Sequence, residues 1–369
     1  MGKMLQKSFY DLTPPELESF FVAIGEKKFR AHQVLDFLYH HRVDSIDEMT
    51  SLPKDLRARL SKSVQEAPLT LRTTVESPDG TIKHAYEPAL NSGADSPFLE
   101  SVWMPSEPAD LSGGAKTSRE EGAPRQSRST LCISSQLGCA AGCTFCATGR
   151  LGLHRQLTTG EIVYQVIHAS KLYGKLPDTV LFMGMGEPMH NYEAVVSAVN
   201  IFTHKDGLAM SGRRIVVSTA GELERLGAFR SKFPKVRIAI SLNAATDELR
   251  SSIMPINKNF KLRNIAAFID TMKLSAGEKL TLEYVLLGDL NDTVAQERAL
   301  IRFLKPLSLR VKVNLIPYNP VPGLGYRSPE EGRVLAMQES LKQLGIMTFI
   351  RRNRGRGVSA ACGQLGGRV

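Results

Sequence analysis

The chain has 369 residues, enough for one large α/β domain with a smaller companion or for two ordinary domains. Its 42% hydrophobic and 23% charged residues are the proportions of a soluble globular protein, and apolar runs such as TVLFMGMG and RIAISL are too short to span a bilayer. The formal charge of +10 points to a polyanionic partner, nucleic acid first and an acidic membrane surface second.

The N-terminal stretch has no basic segment followed by a long apolar run, so no signal peptide is expected and the setting is cytoplasmic, where thiols stay reduced. Thr13-Pro14-Pro15-Glu16 is a capping box with proline at the first helical position, and it opens a helix through Phe20 and Phe21. Two further helical patterns run from Phe29 to His40 and from Pro53 to Val64, before a hairpin turning at Asp79-Gly80. Residues 1–100 therefore read as a helical accessory domain with a β-ribbon, either docking RNA or serving only to pack. The stretch between Pro105 and Thr130 lacks apolar periodicity and reads as a mobile insertion, placed at 101–130.

From Leu131 onward strand-like runs alternate with helical ones. The strands are expected at 179–184, 213–219, 235–243, 279–287 and 310–318, and one helix opens at the capping box Thr158 to Glu161. Repeated β-then-α units give a parallel sheet that closes, or partly closes, into a barrel over 131–350. The C-terminal ends of those strands are then the expected seat of chemistry.

Four of the five cysteines lie between Cys132 and Cys146, and the fifth, Cys362, stands in AACGQL. Cys139, Cys143 and Cys146 form C-x3-C-x2-C. Three thiolates hold three irons of a 4Fe–4S cube and leave the fourth open to a ligand, as catalysis requires. The competing reading is a structural zinc site completed by Cys132 or His154, although only one knuckle of the usual two is present.

The chain resembles the radical S-adenosylmethionine superfamily, and within it the RlmN/Cfr family of RNA adenosine methyltransferases. The likeness is carried by EKKFRAHQVLDFLYH, SSQLGCAAGCTFCATG, FMGMGEP, VVSTAG, ISLNA, EYVLL, NLIPYNP and AACGQL, nearly the whole chain apart from the insertion. It implies a partial (β/α)6-type barrel, a 4Fe–4S cluster on Cys139, Cys143 and Cys146, and two S-adenosylmethionine molecules per turnover. It also implies that Cys362, on the 351–369 loop, takes a methyl group from the first molecule. A 5′-deoxyadenosyl radical from the second abstracts hydrogen from that S-methyl group, the resulting carbon adds to an adenine carbon, and Cys132 resolves the adduct through a transient disulfide. The competing reading of both cysteines is that they are small buried residues.

By the same likeness Glu100, in FLESVWMP, is the base that takes the adenine proton; alone it would read as a rim charge. Gly186, Glu187, Ser218, Ser241, Leu242, Asn243 and Asn319 occupy the cofactor positions. Further implications are an RNA substrate (23S ribosomal RNA first, transfer RNA second), an electron donor such as flavodoxin, and a monomeric chain. C2 of adenosine is the leading target, with C8 and an altered substrate as alternatives.

Two departures stand out. Asn243 replaces the family's histidine after Ser-Leu, and RRNRGRG replaces an acidic run before AACGQL, offering Arg351, Arg352, Arg354 and Arg356 to phosphates.

Overall fold

The computed structural model describes residues 7–89, 96–105, 128–351 and 354–367. Three short helices lead: α1 (Pro14–Ala23), α2 (Phe29–Asp36) and α3 (Lys54–Leu60). The Thr13 capping box forms as its sequence suggests, with the Glu16 carboxylate accepting the Thr13 N–H at 2.8 Å. The second helix gives way to a π-turn over Phe37–His41 and stops at Arg42, which takes a left-handed φ of 55°.

The strands are β1 (Leu69–Glu76), β2 (Ile82–Pro88), β3 (Leu99–Pro105), β4 (Ser129–Ile133), β5 (Gln136–Gly138), β6 (Leu153–Gln156), β7 (Thr179–Phe182), β8 (Ile215–Thr219), β9 (Arg237–Ser241), β10 (Leu280–Leu286), β11 (Val311–Pro317) and β12 (Met347–Ile350). The later helices are α4 (Ala147–Arg150), α5 (Thr159–Leu172), α6 (Tyr192–Thr203), α7 (Leu223–Lys232), α8 (Asp247–Ile253), α9 (Leu262–Thr271), α10 (Val294–Leu304) and α11 (Glu331–Gln343).

Ten strands form one sheet in the order β1-β2-β3-β4-β7-β8-β9-β10-β11-β12. From β4 to β12 every neighbour is parallel, while β1 to β4 pair antiparallel. No pairing joins β1 to β12 among the described residues, so the barrel is partial and its inner face stays accessible. The hairpin turning at Asp79-Gly80 is part of this same sheet, and position 100 falls inside β3. Of the insertion expected at 101–130, residues 106–127 lie outside the described residues, 101–105 belong to β3, and 129 and 130 belong to β4.

Strand alternation sorts the side chains. On β7, β8 and β9, Val180, Phe182, Ile215, Val217, Ile238 and Ile240 enter the large core beneath the helices. Leu181, Val216 and Ala239, one residue out of phase, form a small cluster on the opposite, inner face. The same phase puts Thr281, Glu283, Lys312 and Asn314 of β10 and β11 on that inner face, where they line one cavity.

The ribbon is fixed to α5 by a polar and aromatic contact. His84 of β2 is fully buried, with Nε2 2.7 Å from the Tyr173 hydroxyl and Nδ1 3.3 Å from Ser101 Oγ. Tyr173 stacks on Trp103 at 4.4 Å between ring centres. Burial pushes His84 down to about 4, with His168 adding to the effect. The unfolded chain therefore binds the extra proton between the ordinary value near 6.5 and about 4. Stability is fully present above that window and lost as pH falls through it. Thermal unfolding of the wild type should show this acid loss between pH 6.5 and 4, and His84→Gln should flatten it.

Candidate functional site

The cysteine loop begins at β5. Gly138 has φ of +80°, and a Cβ there would lie 1.9 Å from the Gly152 carbonyl oxygen, so only glycine lets β5 and β6 close on each other. Cys139 N–H donates to the same Gly152 carbonyl at 2.8 Å, and Thr144 N–H ties the loop to Ile253 at the end of α8 at 3.0 Å. Cys146 caps α4. Around the three thiols lie Ala141, Phe145, Ala220, Met254, Ile256 and Tyr318. Burial in this apolar shell pushes Cys139 up to about 12 and raises Cys143 and Cys146.

Cys139, Cys143 and Cys146 all border one cavity. Among the described residues no group of three His, Cys, Asp or Glu converges as a single metal ion requires. Three thiols bordering one cavity are the donor set of a cluster that keeps one position open to a ligand.

Gly186, Glu187, Ser218, Ser241 and Asn243 border the same cavity, at the C-terminal ends of β7, β8 and β9. A Cβ on Gly186, whose φ is +98°, would come within 2.5 Å of Gln136. Glu187 is buried, and its two oxygens accept the N–H groups of Met189 at 3.0 Å and Ala220 at 2.7 Å. Its carboxylate thereby ties the glycine turn to the end of β8, and burial pushes it up to about 7.

Asn243 has a left-handed φ of 55°, a conformation asparagine tolerates better than most residues. Its Oδ1 accepts Val285 N–H at 2.9 Å, so the oxygen expected to reach a ligand is engaged with β10. Leu242 does not border the cavity. Its side chain sits in the main core, its N–H donates to Glu283 and its carbonyl accepts from Arg250. Asn319 is buried one residue beyond Tyr318, which does border the cavity.

A second cavity adjoins the first and brings Cys132, from β4, together with Cys362, Cys146 and Arg351. Both paired cysteines are free thiols, as are the other three. Burial pushes Cys132 up to about 12; Cys362 adds to this and Arg351 opposes it. The C-terminal segment is anchored at several points. Ala147 N–H donates to Gly363 O at 2.8 Å, Thr148 Oγ1 to Leu365 O at 2.5 Å, and Phe98 N–H to Gly367 O at 2.9 Å.

Glu100 is fully buried near the start of β3 and borders neither cavity. Lys83 Nζ pairs with its Oε1 at 2.9 Å, and Gly367 N–H donates to its Oε2 at 3.0 Å. Arg351, expected among phosphate-binding arginines, instead turns inward beside Cys132, Cys362 and Glu283. Arg354 donates to the Pro105 carbonyl and borders the second cavity. Arg352 and the Arg356 side chain lie outside the described residues.

Two residues escaped the sequence reading. Arg250 is fully buried and spends its guanidinium on the carbonyls of Ala220, Ser241, Leu242 and Phe260 and on Asn257 Oδ1, which holds the ends of β8 and β9 in place. No local pattern marks it. Glu283 was legible in principle, because the phase of Leu282 and Tyr284 turns it inward.

The family model for the N-terminal domain of ribosomal RNA large subunit methyltransferase matches residues 8–65, and the radical SAM superfamily model matches 133–303. A dual-specificity RNA methyltransferase RlmN from Anaeromyxobacter sp. is 40% identical, covering 95% of this chain and 88% of its own length. The protein of that name from Syntrophobacter fumaroxidans is 39% identical and covers 96% of both chains. The chain belongs to the RlmN family. A crystal structure of a radical SAM methyltransferase from Sphaerobacter thermophilus superposes with a TM-score of 0.85 at 36% identity, over 98% of this chain and all of the other. The fold thus agrees with the family.

Removing one partner of the buried Lys83–Glu100 pair leaves an uncompensated charge. Lys83→Met is expected to destabilise the chain by about 3–5 kcal/mol. Adding Glu100→Gln should recover much of that loss. Denaturant titration of both single variants and the double variant measures the coupling.

Proposed function

We propose that this chain methylates a ring carbon of adenosine in RNA, with C2 in 23S ribosomal RNA as the leading target and transfer RNA as a second substrate. The observation that carries the reading is the meeting of Cys132 and Cys362, far apart in sequence, in a cavity adjoining the one bordered by Cys139, Cys143 and Cys146. The names of the RlmN relatives support the RNA substrate. No described helix is long and apolar enough to cross a membrane.

An adenine ring carbon between two nitrogens is a poor nucleophile, so direct displacement of a methyl group does not serve. When bound at this site, the 4Fe–4S cluster and S-adenosylmethionine supply the methyl group and the one-electron chemistry that activates it. A one-electron donor is required, and flavodoxin acting on a monomeric chain is our expectation. The protein's own residues carry the rest. Cys139, Cys143 and Cys146 hold the cluster, and the glycine turn at Gly186 with Ser218 and Ser241 frames the cofactor. Glu187, Leu242 and Asn243 shape that frame through backbone contacts, and Asn319 supports its rim.

Cys362, as thiolate, forms the S–C bond to the incoming methyl group. That carbon gives up one hydrogen atom and is joined to the adenosine carbon, the adduct returning one electron, so RNA and protein are covalently linked. Glu100 is the residue we assign to take the proton from the base carbon. Cys132, as thiolate, attacks the Cys362 sulfur; the S–C electron pair passes to the transferred carbon, which takes up a proton to become the methyl group, so methylated RNA departs and a disulfide remains until reduced.

The test is anaerobic incubation of the reconstituted chain with S-adenosylmethionine, a reductant and a 23S ribosomal RNA fragment, followed by mass analysis of the nucleosides. The expected product is C2-methyladenosine. A methyl group on C8 would replace the target carbon, and no methylated adenosine would overturn the reading. Cys362→Ala should abolish product, whereas Cys132→Ala should accumulate covalent RNA–protein adduct. Normal turnover by Cys132→Ala would remove its resolving role.

A further inference from the structure

The inner face of the sheet carries a third cavity that none of these roles uses. It lies toward the N-terminal ends of the parallel strands, with a volume of about 400 Å³, and is bordered by Thr130, Thr179, Arg237, Thr281, Lys312 and Arg354 among others. Met104, Met183, Arg351 and Arg354 border both this basin and the Cys132–Cys362 cavity, so the two adjoin across those side chains.

Its charge is one-sided. Arg237, Lys312, Arg351 and Arg354 face Glu283, the one carboxylate among the described bordering residues. Glu283 is buried, and its Oε1 accepts Asn314 Nδ2 at 3.0 Å. Arg237 is exposed and Lys312 half-buried, and among the described residues neither side chain has a hydrogen-bond or ion-pair partner. Partial burial lowers both below their ordinary values; Arg237 lowers Lys312 further, and the Glu283 carboxylate opposes this without making an ion pair with it. Four cations against one carboxylate repel one another, and a bound anion would offset that cost.

We infer that this basin binds a phosphodiester of the RNA substrate beside the target nucleotide, with Arg237 and Lys312 as its principal contacts, and so positions the base at Cys362. The inference rests on the proposed RNA methylation. The basin's size suits a phosphate with its sugar and is too small for a folded protein surface. Its position next to the cysteine cavity suits a phosphate whose attached base reaches toward Cys362. An acidic electron-transfer protein, the other polyanion to consider, would gain nothing from that adjacency.

The experiment uses the full chain with its cluster and a hairpin RNA fragment containing the target adenosine, in two forms. One has an ordinary backbone and the other an uncharged methylphosphonate beside that adenosine. Affinity is measured against salt for the wild type, for Arg237→Ala/Lys312→Ala, and for the charge-keeping Arg237→Lys/Lys312→Arg. Melting temperature and cluster absorbance check that each variant folds.

The alanine pair is expected to weaken binding about tenfold or more and to lower the salt slope by about 0.7 for each single-strand phosphate no longer neutralised. The charge-keeping pair should restore the slope. The methylphosphonate should weaken wild-type binding and cost the alanine pair little more, because both changes act on the same ion pairing. An unchanged slope in the alanine pair, with wild-type RNA binding intact, would overturn the inference while leaving RNA methylation standing. The same holds if those variants lose only electron uptake from an acidic reductase. If the wild type neither binds nor methylates RNA, the proposed function itself falls and takes the basin assignment with it.

Discussion

Gly363, Leu365 and Gly367 are held by Ala147, Thr148, Phe98 and the Glu100 carboxylate, and this anchoring decides what the rest of the molecule can do. The C-terminal segment has little secondary structure of its own beyond the short turn Arg356–Val358. Fixed on one side to the helix that follows the cysteine loop and on the other to β3, it sets Cys362 at the cavity bordered by Cys132 and Cys146. Each anchor is modest, since a hydrogen bond contributes about 1 kcal/mol net. Their number and spread over separate elements give the segment one position.

The open sheet is the other half of the design. Because β1 and β12 do not pair, side chains on the inner face of β7 to β11 border adjoining cavities instead of filling a closed barrel. The cluster loop lies at the strands' C-terminal ends, the cysteine pair between, and the basic basin toward their N-terminal ends. An overall charge of +10 draws a polyanion to the surface, while the inner cations give it somewhere specific to lodge.

Local chemistry explains what the sequence disclosed. The capping boxes at Thr13 and Thr158 form because the side chains that satisfy the helix ends stand three residues apart. Strands β7 to β11 were legible from apolar runs, and Cys139, Cys143 and Cys146 from their spacing. The partial barrel followed from the alternation of β and α runs. Strands β4 and β12 were not legible, being short and settled by their neighbours in the sheet. Long-range partners hid the rest. Arg351 read as surface charge because its partners, Cys132 and Glu283, come from distant strands. Nothing near Glu100 in sequence announced Lys83 or Gly367, and Arg250 is buried by contacts with two other strand ends.

The central claim is that Cys362 carries the methyl group before RNA receives it. The most direct measurement is peptide mass analysis of the reconstituted chain after incubation with methyl-labelled S-adenosylmethionine and no RNA, followed by a chase with unlabelled cofactor and RNA. The account expects one labelled methyl group on Cys362, then transfer of that labelled carbon to adenosine in the first turnover. Methylated adenosine carrying only the unlabelled methyl group, with the label still on Cys362 or never there, would contradict it.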